Sequence, residues 1–170
     1  AESLATKWEV LDQGLRVRLH VRKGVKFQGG LGEMTSEDVA WSFNRGFEPG
    51  AAGCPGCAGA MRAVKKVEVV DKDIVDISMS RLDANIIIKL TGREAIIHSK
   101  KHWTAIGGAD AHKSKAIGTG PYKLVEWQPG TSIKYERHND WWGGKPFADK
   151  VNVITISETR TRLAALQTGQ

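Results

Sequence analysis

The chain has 170 residues, of which 41% are hydrophobic and 26% charged, and its formal net charge is +6. This composition is typical of a globular protein with one domain or two small ones. No run of about 18 apolar residues occurs, so no transmembrane helix is expected. The basic residues are scattered among acids, which favours a solvated basic surface over a nucleic-acid-binding groove. The first residues lack the basic and apolar regions of a signal peptide, so we expect a mature chain or an excised piece.

The clearest strand pattern lies near the start of the chain. A short strand is predicted over residues 7–11, and Gln13 and Gly14 form a turn after it. Apolar residues then alternate with basic ones, which predicts a second strand with one apolar and one basic face. The apolar face comprises Leu15, Val17, Leu19 and Val21, and the basic face comprises Arg16, Arg18, His20 and Arg22.

A helix is predicted to begin near Thr35. The side chain of Thr35 or Ser36 can cap the free backbone N–H groups, and acidic residues follow in the first turn. One buried stripe is predicted at Val39, Ala40, Phe43 and Phe47. Arg45 lies near the end of this helix, and Gly46 is expected to stop it.

The middle of the chain has weaker signals. Residues 48–60 are rich in glycine, alanine and proline and predict a loop. A hairpin follows over residues 67–79. Residues 83–91 predict a short helix, residues 95–98 a strand, and residues 100–103 a helical turn.

The last third of the chain repeats the strand pattern. A polar crossing segment at residues 110–115 leads into a hairpin with arms at about 121–127 and 131–137. Residues 151–156 predict another strand, and Ser157 and Glu158 begin a last helix. This mixed order of elements indicates an α/β or α+β fold built on more than one sheet.

Several motifs resemble one known family. The sequence reads IGTGPYKLVEW at 117–127 and YERHNDWWGGKP at 135–146, and further blocks read LHVRKGVKF at 19–27, MTSEDVAWSFNR at 34–45, KKVEVVD at 65–71 and SETRTRLAALQTG at 157–169. In this order they resemble the extracytoplasmic solute-binding proteins of ABC importers, in the peptide/nickel-binding family. The chain departs from the family pattern at His138-Asn139, at Trp141 and in the loop that contains Cys54 and Cys57.

The resemblance implies a mixed α/β fold of the periplasmic-binding-protein type II class that binds peptides. It also implies a partial chain, because family members are much longer and close two lobes over a ligand. Residues 1–115 would form the small-lobe region, and residues 116–170 would form part of the first major, ligand-binding lobe.

By the same resemblance, the protein would bind a peptide or a similar small solute and deliver it to an ABC permease in the membrane. The family also takes nickel chelates, opines and sugars, so the ligand stays open, as does the oligomeric state. The expected location is periplasmic or extracellular and membrane-associated. No enzymatic activity, cofactor or nucleic-acid partner is expected.

The resemblance implies two ligand-binding residues, Trp141 and Phe47. Trp141 lies at an aromatic corner that leads into the cleft-side loop. Its alternative role is to pack in the core of the lobe, which is the role expected for Trp142. Phe47 and the loop after it face the cleft in the family, and the alternative there is a mobile surface loop.

A different class of function is a thiol- or metal-dependent enzyme. Cys54 and Cys57 have the spacing of redox and zinc sites, but glycines and alanines surround them, so a local disulfide or two idle thiols is the alternative. His98 and His102 are four residues apart, as in helical metal sites, and His112 and His138 are candidates to join them.

Overall fold

The computed structural model describes residues 3–47 and 56–169, which form two antiparallel sheets with short helices. The first sheet contains β1 (Ala5–Leu11), β2 (Arg16–Val21), β3 (Val64–Asp71) and β4 (Ile74–Met79) in the spatial order β1-β2-β4-β3. The second contains β5 (Tyr122–Gln128), β6 (Ser132–Arg137) and β7 (Lys150–Ile154) in that order. The helices are α1 (Ser36–Phe47), α2 (Cys57–Ala60), α3 (Ile86–Lys89), α4 (Lys100–Ile106), α5 (Ala109–His112) and α6 (Thr159–Gln167).

The alternation in β2 sets the inner face of the first sheet. Val17, Leu19 and Val21 are buried, whereas the basic residues between them are only partly covered. Val17 lies opposite Ile77 of β4 and Leu19 opposite Val75, so the apolar side chains of both strands share one face. Helix α1 covers that face, and the predicted two-faced strand is confirmed except at Leu15, which precedes β2 and is exposed.

The outer face of the same sheet carries a paired carboxylate. Asp76 on β4 is buried, and its Oδ1 accepts a hydrogen bond from Arg18 Nε at 2.8 Å. Arg16 Nη1 donates to Asp76 Oδ2 at 3.0 Å. The bond from Arg18 is the main reason that the pKa of Asp76 lies below its ordinary value.

Helix α1 begins where the sequence predicts. The backbone N and the hydroxyl of Thr35 both donate to Asp38 Oδ2, and Asp38 Oδ1 accepts from the backbone N of Lys100. One carboxylate thus ties the beginning of α1 to the beginning of α4. The helix continues through the buried Gly46 to Phe47, so the predicted stop at Gly46 is one residue early.

Two short segments differ from the predicted elements. The segment 95–98 is not a strand, because a 3₁₀ turn occupies Arg93–Ala95 and the backbone of His98 bonds to a side chain. The hydroxyl of Ser42 donates to the His98 carbonyl and accepts from its N–H, which takes the groups a strand would pair. In the predicted loop, Cys57–Ala60 form the helix α2, and residues 48–55 lie outside the described residues.

The side chain of Gln28 joins the first sheet's region to the second. Its Nε2 donates to the carbonyls of Gly120 at 3.1 Å and Tyr122 at 2.9 Å, and its Oε1 accepts from the Gly118 N–H. The Gln28 backbone N–H also donates to the Gly118 carbonyl. Because Gln28 is buried, water does not compete for the groups that form these hydrogen bonds.

The second sheet and α6 carry little buried surface among the described residues. Glu158 caps α6 by accepting from the N–H groups of Arg160 and Thr161, as the sequence predicts, but none of the helix's residues is buried. Large apolar side chains stand exposed here: Val153, Ile154, Leu163, Leu166 and Phe147, the last fully exposed. Within residues 3–47 and 56–169, no helix has the length and apolar character needed to cross a bilayer.

Candidate functional site

The aromatic corner after β6 contains the predicted ligand-binding residue Trp141. Its ring centroid lies 5.6 Å from that of Trp142 and its six-membered ring covers Gly143, where an added Cβ would come within 2.5 Å of the ring. The corner therefore requires glycine at 143. The indole Nε1 of Trp141 is enclosed and has no hydrogen-bond partner among the described residues.

Trp142 packs against the core, as predicted for it. The guanidinium of Arg22 lies 4.6 Å from the centre of the Trp142 ring, a cation–π contact. The ring also borders an apolar pocket of about 420 Å³ between β1, β2, α1 and the segment after α3. Trp8, Phe43 and Ile97 lie on other sides of this pocket, so Trp142 links the second sheet's region to the apolar centre of the first.

Phe47, the second predicted ligand-binding residue, ends α1. Its ring stacks on Phe43 with centroids 5.3 Å apart, and it is partly buried against the core. The loop after it falls in residues 48–55, outside the described part of the chain. Among the described residues, no ring contact joins Phe47 to Trp141.

An aromatic and imidazole cluster lies where α1, α4 and α5 meet. The rings of His98 and His112 meet edge to face at 4.7 Å, and Trp103 lies 5.1 Å from His98 and 4.8 Å from His112. The Arg45 guanidinium lies 3.9 Å from the centre of the Trp103 ring, and Trp41 completes the cluster.

The cluster depresses the basicity of both imidazoles. Burial, with smaller contributions from the charges of His112 and Arg45, lowers the pKa of His98 from 6.5 to about 4. Burial likewise lowers the pKa of His112, with help from the charges of His102 and Arg45. Both rings are therefore neutral at neutral pH.

The histidines do not converge in the way that the metal hypothesis requires. His98 lies beside His112, but the ring of His102 bonds to the Lys115 carbonyl, and the ring of His138 bonds to the Gly120 carbonyl. In the described ranges, no group of three or more His, Cys, Asp or Glu side chains is placed to hold a metal ion. His98 precedes Ser99, the residue that caps α4, so the spacing of four does not place His98 and His102 on one helical face.

The cysteine hypothesis is tested at one residue. Cys57 begins α2, is buried and takes part in a disulfide bond. The hypothesis of an idle thiol is therefore wrong for Cys57, and the disulfide alternative is confirmed for this residue. Cys54 lies outside the described residues.

Comparison with known proteins gives a family match over the whole chain. The profile described as bacterial extracellular solute-binding proteins, family 5 Middle, matches residues 1–170. Among curated relatives, the chain is 31% identical to a probable ABC transporter periplasmic-binding protein of Escherichia coli, over 98% of this chain and 34% of the relative. It is 28% identical to a dipeptide-binding protein of Escherichia coli over the same shares.

Solved structures give the same picture. A periplasmic binding protein from Agrobacterium tumefaciens R10, in complex with mannopinic acid, matches 99% of this chain and 34% of its own with a TM-score of 0.89 at 28% identity. A periplasmic binding protein of Helicobacter pylori in complex with the peptide STSA matches 98% of this chain and 36% of its own, with a TM-score of 0.85 at 28% identity. The chain thus spans about a third of the length of these proteins, and the expected mixed α/β fold of this class is confirmed.

Proposed function

The chain belongs to family 5 of the bacterial extracellular solute-binding proteins, and we propose that it is part of the substrate-binding component of an ABC transporter that imports peptides or similar small solutes. The observation that carries this proposal is the family match over residues 1–170, together with relatives named for dipeptide and oligopeptide binding. The partner is an ABC permease, and the location is periplasmic or extracellular at the membrane. The protein uses no cofactor and binds no nucleic acid.

The division of the chain into lobes is part of the proposal. Residues 1–115 form the small-lobe region, and residues 116–170 form part of the first major lobe. Two facts support this division: the two sheets share no strand, and the segment between them crosses over at residues 113–121. Gln28 and Trp142 then fix the two regions together.

Trp141 and Phe47 are proposed as contacts for the ligand. The indole N–H groups of Trp141 and Trp142 are both enclosed, so Trp141 would contact a ligand through its ring. Both side chains are only partly buried, and each offers aromatic area to a solute.

The proposal requires that these proteins bind their solute without making or breaking covalent bonds. Capture then depends on lobe closure, which is stabilised by contacts made only in the closed state. The rival, a thiol- or metal-dependent enzyme centred on Cys54, Cys57 and the histidines, needs a thiolate or a converged ligand set. The disulfide at Cys57 and the separate positions of His98 and His138 favour binding over that rival.

The test is peptide binding by the longest gene product that contains this chain. Isothermal titration with a panel of di-, tri- and oligopeptides should give saturable heat, and Trp141→Ala should weaken it about tenfold or more, as loss of an aromatic contact in a binding site does. Phe47→Ala should weaken binding in the same direction. Trp127→Ala is the matched control, because Trp127 lies on the exposed face of β5.

Two results would each overturn a different part of the proposal. Unchanged affinity in both Trp141→Ala and Phe47→Ala would remove these residues from the site while leaving transport in place. A stoichiometric metal, or a titratable thiol in the unreduced protein, would favour the enzyme instead.

A further inference from the structure

A polar recess of about 510 Å³ lies at the junction of the two regions. The loop between β2 and α1 supplies one wall, β5 supplies a second, and the corner after β6 supplies the third. The lining residues are Lys26, Phe27, Gly29, Gly30, Gly32, Lys123, His138, Asn139 and Asp140. Nothing in the proposed transport function uses this recess.

His138 is the fixed element of the recess. The residue is only 5% exposed, and its Nδ1 lies 3.2 Å from the Gly120 carbonyl oxygen. A carbonyl only accepts, so Nδ1 carries the hydrogen, and in the neutral ring Nε2 presents a lone pair. Nε2 has no hydrogen-bond partner among the described residues and is not fully enclosed, and His138 lines the recess.

The charged side chains that line the recess favour a negatively charged ligand. Lys26 is exposed and forms no ion pair with a described residue, and Lys123 reaches the recess while its Nζ lies 2.9 Å from Glu136. The Asn139 Oδ1 accepts from Arg137, which leaves the amide NH₂ as a donor. Asp140 is the only carboxylate among the described lining residues and opposes an anion.

We propose that this recess binds a small oxyanion that carries a hydrogen of its own, of the hydrogen phosphate class. Its charged oxygens accept from Lys26 and Lys123, and its hydroxyl donates to the lone pair of His138 Nε2. Such a ligand uses both kinds of partner that the recess offers, cationic donors and one imidazole acceptor. Because the walls come from both regions, binding would also stabilise their junction.

A divalent cation is the main competitor. Metal-ligating histidines commonly donate their second ring nitrogen to a carbonyl, as His138 does, and Asp140 lies two residues away. Two lysines line the same recess and oppose a cation, however, although Lys123 is paired with Glu136; Asp140 is the one carboxylate among the described lining residues. The sign of the effect at Asp140 separates the two ligands.

The experiment titrates the chain with sodium phosphate at constant ionic strength and near neutral pH. Long-range ¹H–¹⁵N spectra should show a saturable shift of the His138 Nε2 signal, and the melting temperature should rise with phosphate. Lys26→Ala should weaken binding about tenfold, as loss of a charge-assisted hydrogen bond does. Asp140→Asn should strengthen binding several-fold, because it removes a like charge.

Two further variants complete the design. His138→Asn keeps an N–H donor for the Gly120 carbonyl but has no atom at the position of Nε2, so it should fold and lose the phosphate response. Lys65→Ala is the matched control, since Lys65 is an exposed lysine on β3, away from the recess.

Three outcomes would overturn the proposal. Phosphate could fail to saturate the Nε2 shift, or Lys26→Ala could bind as tightly as the unmodified chain. Alternatively, Mg²⁺ or Zn²⁺ could shift Nε2 while Asp140→Asn abolishes that effect, which would make this a cation site. Peptide binding is measured separately, so none of these results bears on the transport function.

Discussion

The imidazole cluster makes stability depend on pH in a defined window. The ordinary pKa of 6.5 for His98 falls to about 4 in the folded chain, so between these values the unfolded chain binds more protons than the folded one. Stability is therefore fully present above pH 6.5 and declines as the pH falls toward 4, below which this contribution is constant. At about pH 5 the loss is roughly 2 kcal/mol relative to neutral pH, from the ratio of the two proton-binding polynomials.

The assay is urea unfolding of the chain at several pH values between about 4 and 8. His98→Phe keeps an aromatic ring beside Trp103 and His112 but cannot bind a proton. In this variant the stability at about pH 5 should differ much less from the stability at neutral pH. A smaller difference should remain, because the pKa of His112 is lowered too. Lys101→Gln is the control on the same part of the fold, because Lys101 is an exposed residue of α4, and it should keep the difference.

The same decline in His98→Phe as in the unmodified chain would contradict the assignment of this pH dependence to His98. So would an imidazole of His98 that titrates near 6.5 in the folded protein when it is followed directly by NMR. Either result would mean that burial and the nearby charges of His112 and Arg45 do not disfavour the charged ring.

Three other changes test how the fold is held. Gln28→Ala removes the side-chain hydrogen bonds to Gly118, Gly120 and Tyr122, and in urea titration it should lower the free energy of unfolding by about 2–3 kcal/mol. Gln28→Glu should not restore this stability, because a carboxylate cannot donate to the two carbonyls. Asn44→Ala breaks the pair of bonds, at 2.7 and 3.0 Å, that Asn44 makes with the backbone of Val67; about 2 kcal/mol should be lost, and unchanged thermal unfolding would refute this account. Asp76→Asn should destabilise the chain at neutral pH and flatten the decline of stability as the pH falls below about 4, since the depressed pKa of this carboxylate contributes stability only while it is charged. An acid unfolding curve that Asp76→Asn leaves unaltered would contradict the role of the pair.

The periodic elements were predictable because each follows from a local pattern. The alternation at Val17 and Leu19 and the cap at Thr35 needed no tertiary information. The last helix could likewise be placed from its start at Glu158.

The errors arise where distant groups decide the backbone. Residues 95–98 have the composition of a strand, but the hydroxyl of Ser42, 56 positions from His98, takes the hydrogen bonds that a strand would need. The proximity of His98 and His112 was equally hidden, because spacing along the chain does not show that α5 places His112 against His98.

The polar junction had no sequence signal of its own. A buried glutamine such as Gln28 follows no periodicity, and His138 looks like a departure from a family motif rather than the wall of a recess. Such residues become visible only when chain segments that are far apart in sequence meet. The structure shows what surrounds Trp141 and Phe47, the two predicted ligand contacts, but their roles in ligand binding stay predictions.

The hydrogen bonds of the Gln28 side chain join parts of the chain that are far apart in sequence, and this affects the order of folding. Gln28 and Tyr122 are 94 positions apart, whereas the β3–β4 and β5–β6 hairpins close through turns of a few residues. Short loops close at far lower entropic cost than long ones, so the hairpins can form early and the clasp at Gln28 must close late. Variants of Gln28 should therefore accelerate unfolding while leaving the refolding rate nearly unchanged.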